Sequence, residues 1–266
     1  MWRLGIILAL IVESGYAGFE RTNAGSRPQA LGGAVVGLSD EVWSIFYNPA
    51  GIFRLSGYQI SCFYAPQPFG LTELSTSAFA GTVPMKFGAI GISIRRYGFE
   101  FYRENSFSLA YANNIAGLYC GVNLNYHTVS IKNYGSSGTF GLDIGILTPL
   151  TADVSLGAAI KNINSPTIGI SREKLPQSFS TGIAYKPVES MILVAAIQKE
   201  SSFTPAVQFG FEYWIVEAVA IRGGITNEPV QYCGGIGVRL HVFRIDYGFS
   251  IHQELGMTHS ISLIME

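Results

Sequence analysis

"GLYCGVNLNYHT", residues 117–128, decides the fold. Leu118, Cys120, Val122, Leu124 and Tyr126 fall on one parity, and Tyr119, Gly121, Asn123, Asn125 and His127 on the other. Side chains of an extended strand point alternately to opposite faces, so this stretch presents one apolar face and one polar or small face. The pattern recurs. Phe179, Thr181, Ile183 and Tyr185 alternate with Ser178, Ser180, Gly182, Ala184 and Lys186. Val207, Phe209, Phe211 and Tyr213 alternate with Ala206, Gln208, Gly210 and Glu212, and Phe243, Ile245, Tyr247 and Phe249 with Arg244, Asp246, Gly248 and Ser250. One face suits lipid, and the other suits a filled or wet lumen.

Segments of this kind, separated by turns, predict fourteen strands: 57–64, 74–83, 86–96, 103–113, 117–131, 138–149, 152–160, 177–186, 189–199, 204–213, 217–225, 230–240, 242–250 and 256–265. Their connections alternate in length. Short ones fall at Pro84-Met85, Asn114-Ile115-Ala116, Leu150-Thr151, Pro187-Val188, Ile215-Val216 and His241. Longer ones fall at 65–73, 97–102, 132–137, 161–176, 200–203, 226–229 and 251–255. Outer-membrane barrels have short periplasmic turns and longer outside loops, so an even strand count puts both ends of the barrel on the periplasmic side. A soluble two-sheet sandwich would alternate as well, with more charge on its outer faces.

Composition supports the membrane reading. Only 13% of the residues are charged, against about 25% in ordinary soluble domains, and Gly, Tyr and Phe are abundant. A net charge of −1 gives no electrostatic case for a nucleic-acid partner. Met1-Trp2-Arg3, an apolar run from Leu4 to Val12 and the small residues Gly15 and Ala17 predict a signal peptide over 1–17, the other reading being a buried N-terminal helix. No later run of about 18 apolar residues offers a membrane helix. A closed barrel satisfies every backbone group in lipid, which predicts residence in the outer membrane of a two-membrane bacterium, with outer-membrane lipid as its surroundings. Cys62, Cys120 and Cys233 are odd in number and widely spaced, so they read as small apolar residues, a single pair being the alternative.

Residues 18–56 lack strand alternation and precede the barrel, 57–266. A barrel of fourteen strands is too wide to be filled by its own side chains, so this segment is the expected plug, or hatch. Trp43, Ile45, Phe46, Tyr47, Ile52 and Phe53 argue against a disordered tail. Ser39 is the expected N-cap of a short helix, with Asp40 and Glu41 in its first turn. Asn48 is the expected cap of the next, with Pro49 at its first position, so Asn48-Pro49-Ala50-Gly51 forms an elbow. Inward charges gather on the late strands: Lys186, Glu212, Arg222, Arg239, Arg244 and Asp246. They either pair with one another in the lumen, or Arg239 and Arg244 hold Asp40 or Glu41 of the plug.

Sites for chemistry are not indicated. His127, His241, His252 and His259 lack metal-ligand spacing. The nearness of Ser250, His252 and Asp246 in sequence is not a triad, which is defined by geometry. Gly32-Gly33 and Gly37 precede any strand and make no nucleotide fingerprint; close packing against a barrel wall is their plainer use. The expectation is a non-enzyme without cofactor, metal or catalytic residues.

Asn23 to Gly51, "NAGSRPQALGGAVVGLSDEVWSIFYNPAG", resembles the N-terminal signature of the PorV/PorQ family of outer-membrane barrels, relatives of the FadL-type fatty-acid transporters. "KLPQSFSTGIAYKP", 174–187, and "DYGFSIHQELGMTHSISL", 246–263, are similar to that family's later strands and C-terminal hairpin. The resemblance implies a fourteen-stranded all-β, FadL-like barrel whose N-terminal hatch carries Asn48-Pro49-Ala50. It also implies a link to type IX protein secretion or surface attachment, with secretion-machinery components or exported proteins as partners. Passage or binding of hydrophobic small molecules, with an apolar ligand as partner, is the alternative, and a purely structural plugged barrel a further one.

Overall fold

The computed structural model describes residues 18–19, 24–201 and 203–266; the expected signal peptide, 1–17, lies outside them. The strands are β1 Gln59–Ala65, β2 Thr76–Met85, β3 Gly88–Gly98, β4 Tyr102–Ile115, β5 Leu118–Ile131, β6 Gly135–Pro149, β7 Val154–Lys161, β8 Thr167–Ile168, β9 Glu173–Lys174, β10 Ser178–Val188, β11 Met191–Glu200, β12 Ala206–Val216, β13 Val219–Asn227, β14 Val230–Leu240, β15 Phe243–His252 and β16 Gly256–Met265. All but β8 and β9 form one closed antiparallel barrel. Each strand pairs with its neighbour in sequence, β7 pairs with β10, and β1 closes the ring on β16 through Ile60–Met265 to Tyr64–Ile261. These are the fourteen expected strands, their ends displaced by at most three residues.

The period-two pattern does what the pleat requires. On β5, Val122 and Leu124 are 44% and 48% exposed on the outer face, whereas Asn123 and Asn125 point inward at 2% and 5%. The outward residues of the other strands are equally apolar, Ile90, Ile92 and Ile94 on β3 and Phe209 and Phe211 on β12 among them. A closed sheet clothed this way outside, with its polar face inside, is a transmembrane barrel. The short turns gather at one end. Ala116 and Gly117, at φ 53° and 91°, join β4 to β5, and two consecutive positive φ values are what a two-residue hairpin with right-handed twist needs. β1 begins and β16 ends at this same end.

The loop end holds one feature outside the expected pattern. The 161–177 connection folds into the β8–β9 hairpin, paired Thr167–Lys174 and Ile168–Glu173. Ile168 and Leu175 are buried against Phe19 and Val129. Two-residue strands carry too little alternation to be seen in sequence.

The inner segment, 24–55, lies within the barrel. It comprises α1 Ser26–Ala30, α2 Ser44–Tyr47 and a 3-10 turn Pro49–Arg54. α1 rests on β13–β16 and the 3-10 turn on β2–β6. Leu31, Val35, Val36 and Leu38 pack on Ala159, Ala184, Ile192, Val194 and Ala196, while Trp43, Ile45 and Ile52 pack on Phe63, Ala78, Ala80, Ala110 and Ala112. Most of the wall residues beneath it are alanines, which leave room for the segment's larger side chains. The expected helix start at Ser39 is corrected. Ser39 sits at φ 34°, and its hydroxyl donates to the Val35 carbonyl at 3.1 Å rather than capping Asp40 and Glu41. Asp40 is irregular, Glu41 lies in a bend, and the helix begins only at Ser44. The reason is that Asp40 and Glu41 are drawn to cations instead.

Candidate functional site

The inner segment closes the barrel by backbone contact. Facing glycines pair across neighbouring strands at Gly121–Gly145, Gly157–Gly182, Gly210–Gly224 and Gly235–Gly248. A Cβ on any of them would lie within 3.0 Å of an inner-segment atom: 2.7 Å from Ala50 Cα for Gly121, 2.8 Å from Pro49 Cδ for Gly145 and 2.6 Å from the Leu31 carbonyl oxygen for Gly210. The chain from Ser26 to Ala50 therefore runs round the inner wall on a seam of residues without side chains. Gly37 answers from the other side, against the Gly182 backbone. Polar wall side chains take up the segment's backbone groups. Ser26 N–H donates to Ser262 Oγ at 2.8 Å, Val42 N–H to Gln59 Oε1 at 2.8 Å, and Ser155 Oγ to the Gly37 carbonyl at 2.7 Å.

The elbow residues do three things at once. Asn48 is extended (φ −153°, ψ 100°), as the residue before a proline is driven to be. Its Oδ1 accepts the Ala50 N–H at 3.2 Å, capping the 3-10 turn that Pro49 begins. Its Nδ2 donates to the Val36 carbonyl within the segment and to the Ile146 carbonyl on the wall, both at 2.9 Å. Gly51 is pressed against Ser39 and Ser44, with no room for a Cβ.

The acidic residues enter a closed ring of charge. Arg27 Nε lies 2.6 Å from Glu212 Oε2, and Glu212 Oε2 lies 2.6 Å from Arg222 Nε. Arg222 Nη1 lies 2.7 Å from Asp246 Oδ1, and Asp246 Oδ2 lies 3.0 Å from Arg244 Nε. Arg244 Nη2 pairs with Glu41, whose carboxylate returns to Arg27 Nη1 at 3.3 Å. Two members, Arg27 and Glu41, belong to the inner segment and four to the wall. Asp40 hangs outside the ring on Arg27 at 2.6 Å, and Glu266 on Arg244 at 2.9 Å. Burial pushes the Asp40 carboxyl up, and the Arg27 guanidinium more than reverses this, holding it below the usual carboxylate range. Gly237 keeps space for the ring, since a Cβ there would strike Arg222 and Asp246.

Of the expected plug contacts, then, Arg244 meets Glu41, whereas Asp40 goes to Arg27. Arg239 holds neither: it is opposite Arg244 in register, but its guanidinium lies 4.4 Å over the Trp214 ring. Arg27 was missed from sequence. The available signal was its isolation, as it is the only basic residue between Ala24 and Phe53.

Space remains on both sides of the segment. Toward the short turns a polar vestibule of ≈ 620 Å³ is bordered by Lys186, Glu189, Trp214 and Arg239. Toward the loops a smaller cavity of ≈ 80 Å³ lies between Ile45 and Phe46 of the segment and Arg95, Asn125, Asp143 and Lys161 of the wall. Among the described residues no group of His, Cys, Asp and Glu is arranged to hold a metal.

No protein-family model matches the chain, and no curated protein matches it. Solved structures do. The CymD monoaromatic hydrocarbon channel superposes with a TM-score of 0.71 at 11% identity, covering 94% of this chain and 99% of that one. The Pseudomonas putida toluene transporter TodX gives 0.66 at 11% identity over 92% and 98%. A Pseudomonas aeruginosa FadL homologue gives 0.68 at 12% identity over 94% and 99%. The chain has the fold of the FadL-type barrels.

Proposed function

We propose that this chain is an outer-membrane channel for small hydrophobic molecules, with the inner segment as its plug and movable part. The observation that carries the reading is the way the plug is held. A wide barrel is stopped by a short segment that touches the wall through glycine backbones and is anchored by one ring of ion pairs, an arrangement that can come away without breaking a strand. The shared fold with CymD, TodX and the FadL homologue supports it, because the first is described as a monoaromatic hydrocarbon channel and the second as a toluene transporter.

A disulfide lock tests the reading. Ser26 Oγ and Ser262 Oγ are 3.0 Å apart, one on the plug and one on the wall. In a background with Cys62, Cys120 and Cys233 replaced, Ser26→Cys with Ser262→Cys should join them. Uptake of radiolabelled toluene and of oleate by cells expressing the chain is measured with and without reductant. Uptake of either that is lost on oxidation and regained on reduction supports a mobile plug. Uptake no greater than in cells lacking the protein removes the channel reading.

The second reading is a PorV/PorQ-type role in type IX secretion. The Asn23–Gly51 motif favours it. Co-purification from outer membranes with secretion components or exported proteins is its test.

A further inference from the structure

We propose that the outer surface of β2–β6 at the loop end holds the phosphate headgroup of an outer-leaflet lipid, through Arg96 and Arg103. Strand length sets the height of the site. A transmembrane strand needs about 9–11 residues to cross the bilayer. β4, β5 and β6 have 14, 14 and 15 residues, so each carries roughly two outward positions beyond the hydrocarbon. The register shows where the lipid ends. Phe79, Ile94, Phe107, Tyr126 and Phe140 stand side by side on β2–β6, all exposed on the outer face. The next outward row is Ser77, Arg96, Asn105, Thr128 and Gly138, and the row beyond it is Gly98, Arg103, Ser130 and Ser136. A Cβ on Gly138 would lie 2.6 Å from the Tyr126 hydroxyl oxygen, so this tyrosine reaches from the apolar row to the polar one, as aromatic residues do at the membrane surface. The polar collar is one-sided. β14–β16, of 11, 10 and 10 residues, extend no such collar: the outermost outward row they share is Tyr232, Ile251 and Met257.

Charge says what the collar takes. No Asp or Glu stands at an outward position of β2–β6. Glu104, between Arg103 and Asn105, points inward at 2% exposure, and Glu100 in the loop above is paired with Lys132. Arg96 and Arg103 form no ion pair among the described residues, and Arg103 Nε is buried without a hydrogen-bond partner. The two are diagonal neighbours, since Arg96 faces Asn105 and Gly98 faces Arg103 across the β3–β4 pair. Diagonal neighbours lie about 7–8 Å apart, within reach of long side chains, so both guanidinium groups can converge on one anion. Phosphate suits them because each fork can bind it bidentately. Ser130, paired with Arg103, adds an exposed hydroxyl donor beside them.

Position selects a lipid as the carrier of that phosphate. The collar lies directly above Ile94 and Phe107, whose outer faces meet acyl chains. One molecule with an anionic headgroup and apolar tails contacts both levels. A second copy of this chain fits poorly, because a self-complementary contact through this face would set arginines against arginines with no carboxylate between them. The site is on the outer wall, apart from plug and lumen, and binding there does not depend on passage through the barrel.

The experiment is native mass spectrometry of the full chain in detergent micelles with bisphosphorylated lipid A, and with the same lipid stripped of its phosphates. Binding of the phosphorylated lipid at least tenfold tighter is expected. Arg96→Gln with Arg103→Gln should erase that difference, each single change should reduce it, and Arg96→Lys with Arg103→Lys should keep part of it. Lys199→Gln is the control and should change nothing: Lys199 is an exposed cation near the loop end of β11, far from the collar in strand order, and its ammonium donates to the Phe203 carbonyl. Retained heat-modifiable mobility on gels establishes a folded barrel in each variant. Equal binding of the two lipids by the unmodified protein overturns the proposal. So does a preference for phosphate that survives the double glutamine variant, or one that Lys199→Gln reduces as much. A protein dimer that binds neither lipid and dissociates in the double variant would assign the face to a second copy instead.

Discussion

Arg27 of the plug grips Glu212 of the wall with both ends of its guanidinium, Nε to Oε2 at 2.6 Å and Nη2 to Oε1 at 2.9 Å. This is the bidentate geometry that carries most directional strength. It is also one edge of a six-membered ring, and the ring changes what a substitution does. Every member has two neighbours of opposite charge. Removing one leaves each neighbour still paired, so single losses should fall below the about 3–5 kcal/mol typical of breaking an isolated buried pair. Glu41 is the test case, because its cations are Arg27 and Arg244. Arg27→Gln with Arg244→Gln strands it, and the double variant should lose more plug stability than the two single losses added together. Adding Glu41→Gln should recover part of that loss. Proteolysis of the plug across a urea series measures each, and strict additivity would mean the ring is not a unit.

The glycine seam makes a separate prediction. Gly121→Val places a branched side chain where the Pro49–Ala50 backbone lies. Overpacking of this kind costs about 1–3 kcal/mol. The plug is the softer partner, so it should shift while the barrel holds. Single-channel conductance should rise, with heat-modifiable mobility unchanged. Gly57→Val, where a Cβ meets nothing within 4 Å, is the control and should leave conductance at its starting value.

The two faces of β12 separate wall from plug. Phe209 is 53% exposed on the outside, and an arginine there near mid-bilayer should destabilise the barrel by about 2–4 kcal/mol. Gln208, its inward neighbour, donates to Gln198 Oε1 at 3.3 Å and faces Gly33 of the plug. Gln208→Arg should therefore spare the barrel and expose the plug to protease. Equal loss of barrel stability from both changes would place the strand one residue out of register.

Acid should loosen the plug before it harms the wall. Asp40 has its carboxyl lowered by Arg27 in the folded state, so its contribution is complete above its unfolded value of about 3.9 and is lost as the pH falls through the folded value below that. Protease access to the plug should rise on acidification below about pH 4. Asp40→Asn should remove this part of the dependence and lower plug stability at neutral pH. A wild-type plug equally protected on both sides of that range would show that Asp40 contributes nothing.

The wall was legible in the sequence because its physics is local. Alternation at period two follows from the pleat, and on β5 Val122 and Leu124 parted from Asn123 and Asn125 as the pattern requires. The presence of an inner segment could also be read, since a wide barrel and an apolar, strandless stretch imply each other. Its detail could not. Ser39, Asp40 and Glu41 match a helix start, and nothing nearby in sequence says that Arg27 and Arg244 will take the carboxylates. Arg239 and Arg244 look alike on paper and pair across neighbouring strands, yet one side chain reaches the ring and the other lies over Trp214. The glycine seam is invisible along the chain because its members, such as Gly121 and Gly145, adjoin only through strand pairing.

Asn48 concentrates the plug's hold in one side chain. Its amide caps the turn through Ala50 and donates to two carbonyls, Val36 inside the plug and Ile146 on the wall. Asn48→Ala removes the cap, worth about 0.5–2 kcal/mol. It also takes one donor from each of two carbonyls, the buried Val36 and the part-buried Ile146, which adds to the loss. Asn48→Asp is the finer probe, since a carboxylate can still cap Ala50 but cannot donate to either carbonyl. It should therefore be at least as harmful as alanine, despite its similar shape. The Ser26–Ser262 disulfide pins the far end of the plug and should limit the opening that either change causes. Conductance and protease cleavage read together decide the matter: both should rise in Asn48→Ala and fall back when the lock is oxidised. If Asn48→Ala and Asn48→Asp leave both readings at wild-type level while deletion of 18–56 opens a pore, the plug is held by the ring and the seam, and the elbow only shapes it.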